Sequence, residues 1–205
     1  METIEAIRKR RSVNFFDNTR KVTERDVEQL VELATQAPSG FNLQNWRFIA
    51  VTDDDRKRSL RSAAFDQAKV EDAAVTFVVL GDLEGYKETT RIMDLSVKDG
   101  IVDKGVRDYF VDATPKFYRD SLQMARDEAI RSGSLAAMVM MLAAESLGMV
   151  SCPMIGFDAG RVAEMFHIPA RFIPVMLLPI GYEGKGNWAR KTRRPIAEIF
   201  TTNTF

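Results

Sequence analysis

Two short stretches of this chain concentrate cations where a small anion can use them. Near the start, Ile7-Arg8-Lys9-Arg10-Arg11-Ser12-Val13-Asn14-Phe15-Phe16 sets four consecutive cations ahead of a hydroxyl and two aromatic rings. About 180 residues later, Ala189-Arg190-Lys191-Thr192-Arg193-Arg194-Pro195 repeats the theme. Arginine presents a planar fork of donors to phosphate oxygens, lysine a compact point charge, and Ser12 a neutral donor. If folding brings the two stretches together, they can converge on one phosphate dianion. Two other readings stand beside this one. The first stretch can be a solvated helix end, since cations are favourable at a helix C-terminus. The two stretches can also form a nucleic-acid patch. Against that, 29 Lys+Arg balance 29 Asp+Glu, whereas nucleic-acid binders are usually basic over a whole face.

A second candidate is Ala37-Pro38-Ser39-Gly40-Phe41-Asn42-Leu43-Gln44-Asn45-Trp46-Arg47-Phe48, dense in amides and hydroxyls. Gly40 lets a backbone approach a ligand closely, and side-chain amides match a heterocycle rich in carbonyls and ring nitrogens. The same residues also read as a plain helix-to-strand loop. A third is Cys152-Pro153-Met154-Ile155-Gly156-Phe157-Asp158, where Pro153 and Gly156 shape a tight turn with N–H groups able to face a ring atom.

Other chemistries lack their residues. His167 is the sole histidine and Cys152 the sole cysteine, which leaves no histidine or cysteine metal cluster and no intrachain disulfide. No G-x-S-x-G, G-x-G-x-x-G or G-x-x-x-x-G-K-[ST] occurs. Ten Met and one Cys suit a reducing cytoplasm. Residues 1–20 are charged throughout, unlike a secretory leader. The longest apolar run, Leu135 to Ala144, falls short of the roughly 18 residues that span a bilayer. The expectation is a cytoplasmic protein with no membrane segment.

The elements that must position these residues follow from periodicity. Length and a 45% hydrophobic content fit a single domain, 1–205. Residues 3–10 read as a helix capped by Thr3. Residues 24–36 read as a helix capped by Thr23 with Asp26 three residues on, its stripe being Val27, Leu30, Val31 and Ala34. Trp46–Val51, Ala74–Leu80 and Val175–Ile180 read as strands, the last two buried. Residues 53–64 read as a short polar helix and residues 86–131 as mostly helix, with one starting at Pro115. Ser134 is expected to cap an apolar helix over Leu135–Leu147 that ends at Gly148. Another helix is expected over Ala159–Phe166. An all-round apolar helix needs cover, and a subunit interface can supply it. The tail, 182–205, carries Ile196, Ile199 and Phe200 and is expected to dock on a partner subunit. Helices flanking separated strands predict α+β rather than regular βαβ units.

Taken in order, "RRS", the Pro-Ser-Gly loop through Trp46 and Phe48, "DQAKVEDAAVTFVVLGD" at 66–82, the apolar helix, "PMIGF", "LLPIGY" and the basic tail with "RRP" resemble the nitroreductase family of FMN-dependent oxidoreductases over nearly the whole chain. The resemblance implies an α+β fold, with a central, mostly antiparallel sheet flanked by helices, in an intertwined homodimer holding FMN at its interface. It implies that Arg10, Arg11 and Ser12, with Asn14 beside them, hold the phosphate and ribityl chain. Lys191 and Arg193 would meet the same phosphate from the tail. Pro38, Ser39, Gly40 and Asn42 would reach the flavin of the other subunit. Pro153, Ile155 and Gly156 would pass along the ring, with Gln67 and Lys69 at its pyrimidine edge. NADH or NADPH would deliver hydride, then leave, and a nitroaromatic or quinone acceptor would take its place in ping-pong fashion. Phe110, Phe117 and Tyr118 are candidates for an aromatic roof over the acceptor, although helix packing also accounts for them. The alternatives are a flavin-dependent dehydrogenase of another small molecule and a non-catalytic flavin-binding protein.

The sequence also departs from the family pattern. Asn14 stands where many relatives carry a basic residue, Asp66 where some have Asn, and Ile155 where some have Glu. Loss of a cation at position 14 should weaken stabilisation of the reduced flavin, and Lys69 is expected to compensate.

Overall fold

The β-branched run in the middle of the chain forms the centre of the sheet. In the computed structural model, which describes residues 2–205, strand β2 (Val75–Asp82) is buried at every position. It pairs antiparallel with β1 (Trp46–Val51) on one side and with β4 (Phe172–Gly181) on the other. A two-residue strand, β3 (Val150–Ser151), pairs antiparallel with the end of β4 and completes the order β1-β2-β4-β3. A strand covered on both faces must be apolar on both. Successive β2 residues therefore serve two cores. Val78 and Leu80 join Leu60, Val70, Met154 and Val162 on one face. Val75, Phe77 and Val79 join Leu30, Ala137, Met140 and Ala144 on the other.

The first face is covered by α3 (Asp54–Ala63), the single turn α4 (Lys69–Asp72) and α8 (Ala159–Met165). Lys57, almost fully buried on α3, donates to the carbonyls of Glu71 (3.0 Å) and Ala73 (2.9 Å) and so caps the end of α4. The second face is covered by α2 (Glu24–Ala34) and α7 (Leu122–Ser146), with α1 (Thr3–Lys9) against α7. The capping box expected at Thr23 and Asp26 is present, each side chain bonding the other residue's backbone N–H. α5 (Thr89–Lys98) and α6 (Lys104–Tyr118) form an excursion between β2 and α7. The fold is α+β, as the sequence pattern predicts, with the antiparallel sheet that the family resemblance implies. No helix among the described residues is long and apolar enough to cross a membrane.

Three local expectations are corrected. Ser134 caps nothing: α7 runs 25 residues without a break, and its N-cap is Ser121, whose Oγ accepts from the Met124 N–H at 3.2 Å. Gly133, inside the helix, lets it lie close to the sheet, since a Cβ there would come within 3.3 Å of a Val175 methyl. Pro115 starts no helix; it lies inside α6, which begins earlier because Asp103 caps it through the Val106 N–H at 2.8 Å. At α1 the N-cap is Glu2, without a side-chain capping bond, rather than Thr3.

Gly81 marks the closest approach of α7 to β2: a Cβ there would stand 2.7 Å from the Ala129 carbonyl oxygen. Backbone cannot give way as a flexible side chain can. Gly81→Ala is expected to lower stability by about 1–3 kcal/mol, read as a lower midpoint in urea unfolding.

Candidate functional site

The two basic stretches meet. Residues 12–17 run beside the continuation of β4. Ser12 bridges Ser151 in parallel sense and Phe16 bridges Glu183 in antiparallel sense. The Asp17 N–H donates to the Tyr182 carbonyl (2.9 Å) and the Gly184 N–H to the Phe15 carbonyl (3.0 Å). Gly184 is required by proximity, because a Cβ there would lie 2.9 Å from the Phe16 carbonyl carbon. The tail then turns back, and its Arg190 guanidinium donates to the carbonyls of Ile7 (2.7 Å) and Arg10 at the end of α1. Arg11, Ser12, Trp188, Ala189, Arg190, Lys191 and Arg193 line the resulting cleft, about 90 Å³ in volume.

Its electrostatics fit an anion. Burial, and after it the like charges of Arg190 and Arg193, push the Arg10 guanidinium below its ordinary range; Glu145 pulls the other way. Under the cleft, burial pushes the Cys152 thiol up, opposed by Lys69, Lys191 and Arg10. Cations from three separate segments thus act on one small buried side chain. The ion pairs at this end are Lys9–Glu145 (3.3 Å), Arg11–Glu183 and Arg194–Glu198 (2.9 Å). Among the described residues none reaches Arg10, Lys69, Lys191 or Arg193. Arg11 differs from its neighbours, being held by Glu183 and by the Trp188 carbonyl, to which its Nε donates at 3.2 Å. A cluster of cations that outnumbers its nearby carboxylates, beside the Ser12 hydroxyl, suits a phosphomonoester.

A second group adjoins the cations. The Lys69 ammonium donates to Asn14 Oδ1 at 3.2 Å, which puts a lysine at the position where Asn14 lacks a charge. The Gln67 amide donates to the carbonyls of Ala64 (3.0 Å) and Gly156 (2.9 Å), tying the turn at 64–67 to the Pro153–Gly156 turn. Phe65 and Asp66 sit in that first turn at φ 54° and 55°. Aspartate, like asparagine, tolerates this left-handed conformation better than most residues, and Asp66 adopts it while exposed. Met154 is pinned to Leu177 by paired backbone hydrogen bonds of 2.8 and 3.0 Å. Ile155 next to it is 86% exposed, so this turn offers an open face.

The Pro38–Asn42 loop is built separately. The Gly40 N–H donates to Glu128 Oε1 at 2.9 Å, and that buried carboxylate also accepts from the Ser132 hydroxyl (2.8 Å) and from Arg131. Ser39 Oγ accepts from the Gln44 N–H at 2.9 Å. Phe41, Asn42 and Gln44 all hold positive φ, at 53°, 53° and 49°. Such strain persists only where surrounding contacts over-determine it. The Phe41 ring supplies some of them, meeting Phe110 at 5.7 Å, Phe117 at 5.3 Å and Tyr118 at 6.1 Å between centroids. Among the described residues, these contacts go to α6 and α7 rather than to the cation cluster. Tyr118 does not roof an open site. Its ring is buried with Leu43 and Ala125, and burial, then the nearby Glu128 charge, push its hydroxyl above the ordinary range. Phe117 is half exposed at the surface of this cluster. Sequence reasoning missed Phe41, Glu128 and Asn187. Each acts through a partner distant in the chain, and no local spacing marks it.

Comparison with known proteins agrees with this architecture. The family model described as Nitroreductase family matches residues 7–182. MhqN of Bacillus subtilis (strain 168), which bears an NAD(P)H nitroreductase name, is 38% identical over 195 residues, 94% of this chain and 95% of MhqN. The NADH dehydrogenase of Thermus thermophilus is 33% identical over 179 residues, covering 85% and 83% of the two chains. Among solved structures, the nitroreductase-named ydfN of Bacillus subtilis superposes with a TM-score of 0.91 at 37% identity, covering 97% of each chain. A nitroreductase-named protein of Exiguobacterium sibiricum, solved in complex with FMN, superposes with a TM-score of 0.91 at 30% identity, covering 98% of this chain and 97% of that one. By sequence and by fold, this chain belongs to the nitroreductase family.

Proposed function

We propose that this protein is an FMN-dependent oxidoreductase that takes electrons from NADH or NADPH and delivers them to a flat, electron-poor ring, a quinone or a nitroarene, the two substrates using one site in turn. The observation that carries the reading is the cleft in which Ser12, Lys191 and Arg193 come together, with Arg10 at the end of α1 and Lys69 on Asn14 beside it; among the described residues no ion pair is made by these four cations. FMN, when bound, supplies a ring that accepts hydride from the nicotinamide and passes electrons on. The chain's own residues bind and orient. Arg10, Ser12, Lys191 and Arg193 hold the phosphate. Lys69 brings positive charge to the ring's edge beside the neutral Asn14. Gln67 fixes the Pro153–Gly156 turn, whose exposed Ile155 would face the ring. Arg11 contributes by securing the tail through Glu183 and Trp188.

The same reading assigns the rest of the site to a second copy of the chain. Ile4, Ile7, Leu33, Leu135 and Met138 leave apolar surface exposed on α1, α2 and α7, and Ile196, Ile199 and Phe200 do so on the tail. A homodimer covers these surfaces, and Pro38, Ser39, Gly40 and Asn42 then serve the partner's cofactor. Phe110 and Phe117, gathered around Phe41, provide aromatic faces on which a flat acceptor can stack.

Three outcomes follow. The purified protein is expected to be yellow, or to become so with FMN, and to bleach within seconds when NADH or NADPH is added anaerobically. A protein that binds FMN but stays oxidised would be a flavin carrier rather than a reductase, and one that refuses FMN would overturn the reading entirely. Light scattering after size exclusion is expected to give twice the chain's 23.2 kDa; a monomer would remove the partner's loop from the site. A cation at the ring's edge favours the more electron-rich state of the cofactor, so removing it makes reduction harder. Lys69→Ala is expected to lower the two-electron midpoint potential by about 30 mV or more, equivalent to roughly 1.4 kcal/mol. An unmoved potential would exclude Lys69 from that role.

A further inference from the structure

We propose that Asn187 is the positioning residue of the phosphate site, a neutral clasp that holds the tail's cations at their working distance from Arg10 and Ser12. The inference rests on the reading of that cluster as an FMN phosphate site. The Asn187 side chain behaves like an inserted peptide group. Its Oδ1 accepts from the N–H groups of Asn14 (2.7 Å) and Phe15 (3.0 Å). Its Nδ2 donates to the carbonyls of Phe15 (2.7 Å) and Gly184 (3.1 Å). A side-chain amide offers two lone pairs and two N–H donors, so its capacity is fully used.

The location gives these bonds their purpose. The backbone pairing between residues 15–17 and 182–184 ends at Gly184. Gly186, at φ +93°, turns the chain back, and Asn187 re-anchors it directly before the cation-bearing segment. Beyond it the ties between the tail and the N-terminal segment are made by charged groups, Arg11 to the Trp188 carbonyl and Arg190 to the carbonyls of Ile7 and Arg10. These like charges lie near one another: Arg190 and Arg193 act on Arg10 in the same direction as its burial, and Glu145 offsets them. An uncharged clasp opposes that repulsion without adding to it. Asn187 is not among the residues lining the cleft, so it acts through Lys191 and Arg193 rather than on the ligand.

The test compares FMN with riboflavin, which has the same ring and no phosphate. Dissociation constants for both are measured by flavin fluorescence on full-length protein stripped of flavin, for wild type, Asn187→Ala, Asn187→Ser and Lys191→Ala, with thermal melts alongside. Wild type is expected to prefer FMN. Asn187→Ala is expected to cut that preference about ten-fold or more, while riboflavin affinity is retained. Asn187→Ser, which keeps one donor and acceptor, is expected to fall between, and it decides the matter if the alanine variant does not fold. A preference unchanged in either folded variant would overturn the proposal. So would an equal loss for both ligands with a lowered melting temperature, which is the mark of a general stabilising role. A wild type indifferent to the phosphate, or a Lys191→Ala variant with full preference, would fell the phosphate reading itself and the clasp with it.

Discussion

Like charges do not gather unless something neutral holds them. Burial first, and then the like charges of Arg190 and Arg193, depress Arg10, while Lys69 and Lys191 act on the same buried thiol. In the bare chain this is an unfavourable arrangement, since each cation loses solvation or gains a like neighbour. What sustains it is uncharged backbone pairing. Residues 12–17 lie against Ser151 on one side and residues 182–184 on the other, anchored on the buried end of β4. The free energy of burying the sheet is thereby used to hold a charge cluster whose natural relief is a bound dianion. A site assembled this way is preorganised, and less of the binding energy goes into ordering it.

The same division between a rigid apolar frame and a strained polar edge recurs at the Pro38–Asn42 loop. α7 lies so close to β2 that Gly81 must be glycine, and Gly133 lets the same helix pack closely on Val175 of β4. Because that helix is fixed, its buried Glu128 is fixed too, and the carboxylate can hold the Gly40 N–H through a run of left-handed residues. A buried carboxylate is tolerable only when its oxygens are satisfied. Here a backbone amide, a hydroxyl and a guanidinium share the task. The aromatic cluster around Phe41 then locks the loop against α6, so the rings of Phe110 and Phe117 and the backbone of the Pro38–Asn42 loop are parts of one packed unit.

What was legible in the sequence was local. The Thr23–Asp26 capping box lies three residues apart, and the apolar runs of β2 and β4 can be nothing but buried strands of a covered sheet. The recurring short motifs identified the family. Boundaries set by tertiary contact were not legible. Gly133-Ser134 has the look of a helix start, yet glycine in a helix packed on a sheet is a close-approach residue. Pro115 has the look of a first turn, yet Asp103 upstream starts that helix. Tyr118 has the same aromatic character as Phe117, one position away, and rotation about the helix sends one ring into the core and leaves the other half exposed.

The sequence by itself determined which residues are cationic, which strands must be buried on both faces, and that cations at both ends of the chain could answer to one anion. Tertiary structure decided which of them are already engaged with the protein's own groups. Glu183 takes Arg11, Arg190 caps α1, and Asn187 joins residues 173 positions apart. The physical reason is range. Propensity and periodicity act over a few residues, whereas the long-range hydrogen bonds that shape this site link partners 55 to 183 residues apart, and only the packed fold brings such partners within about 3 Å of each other.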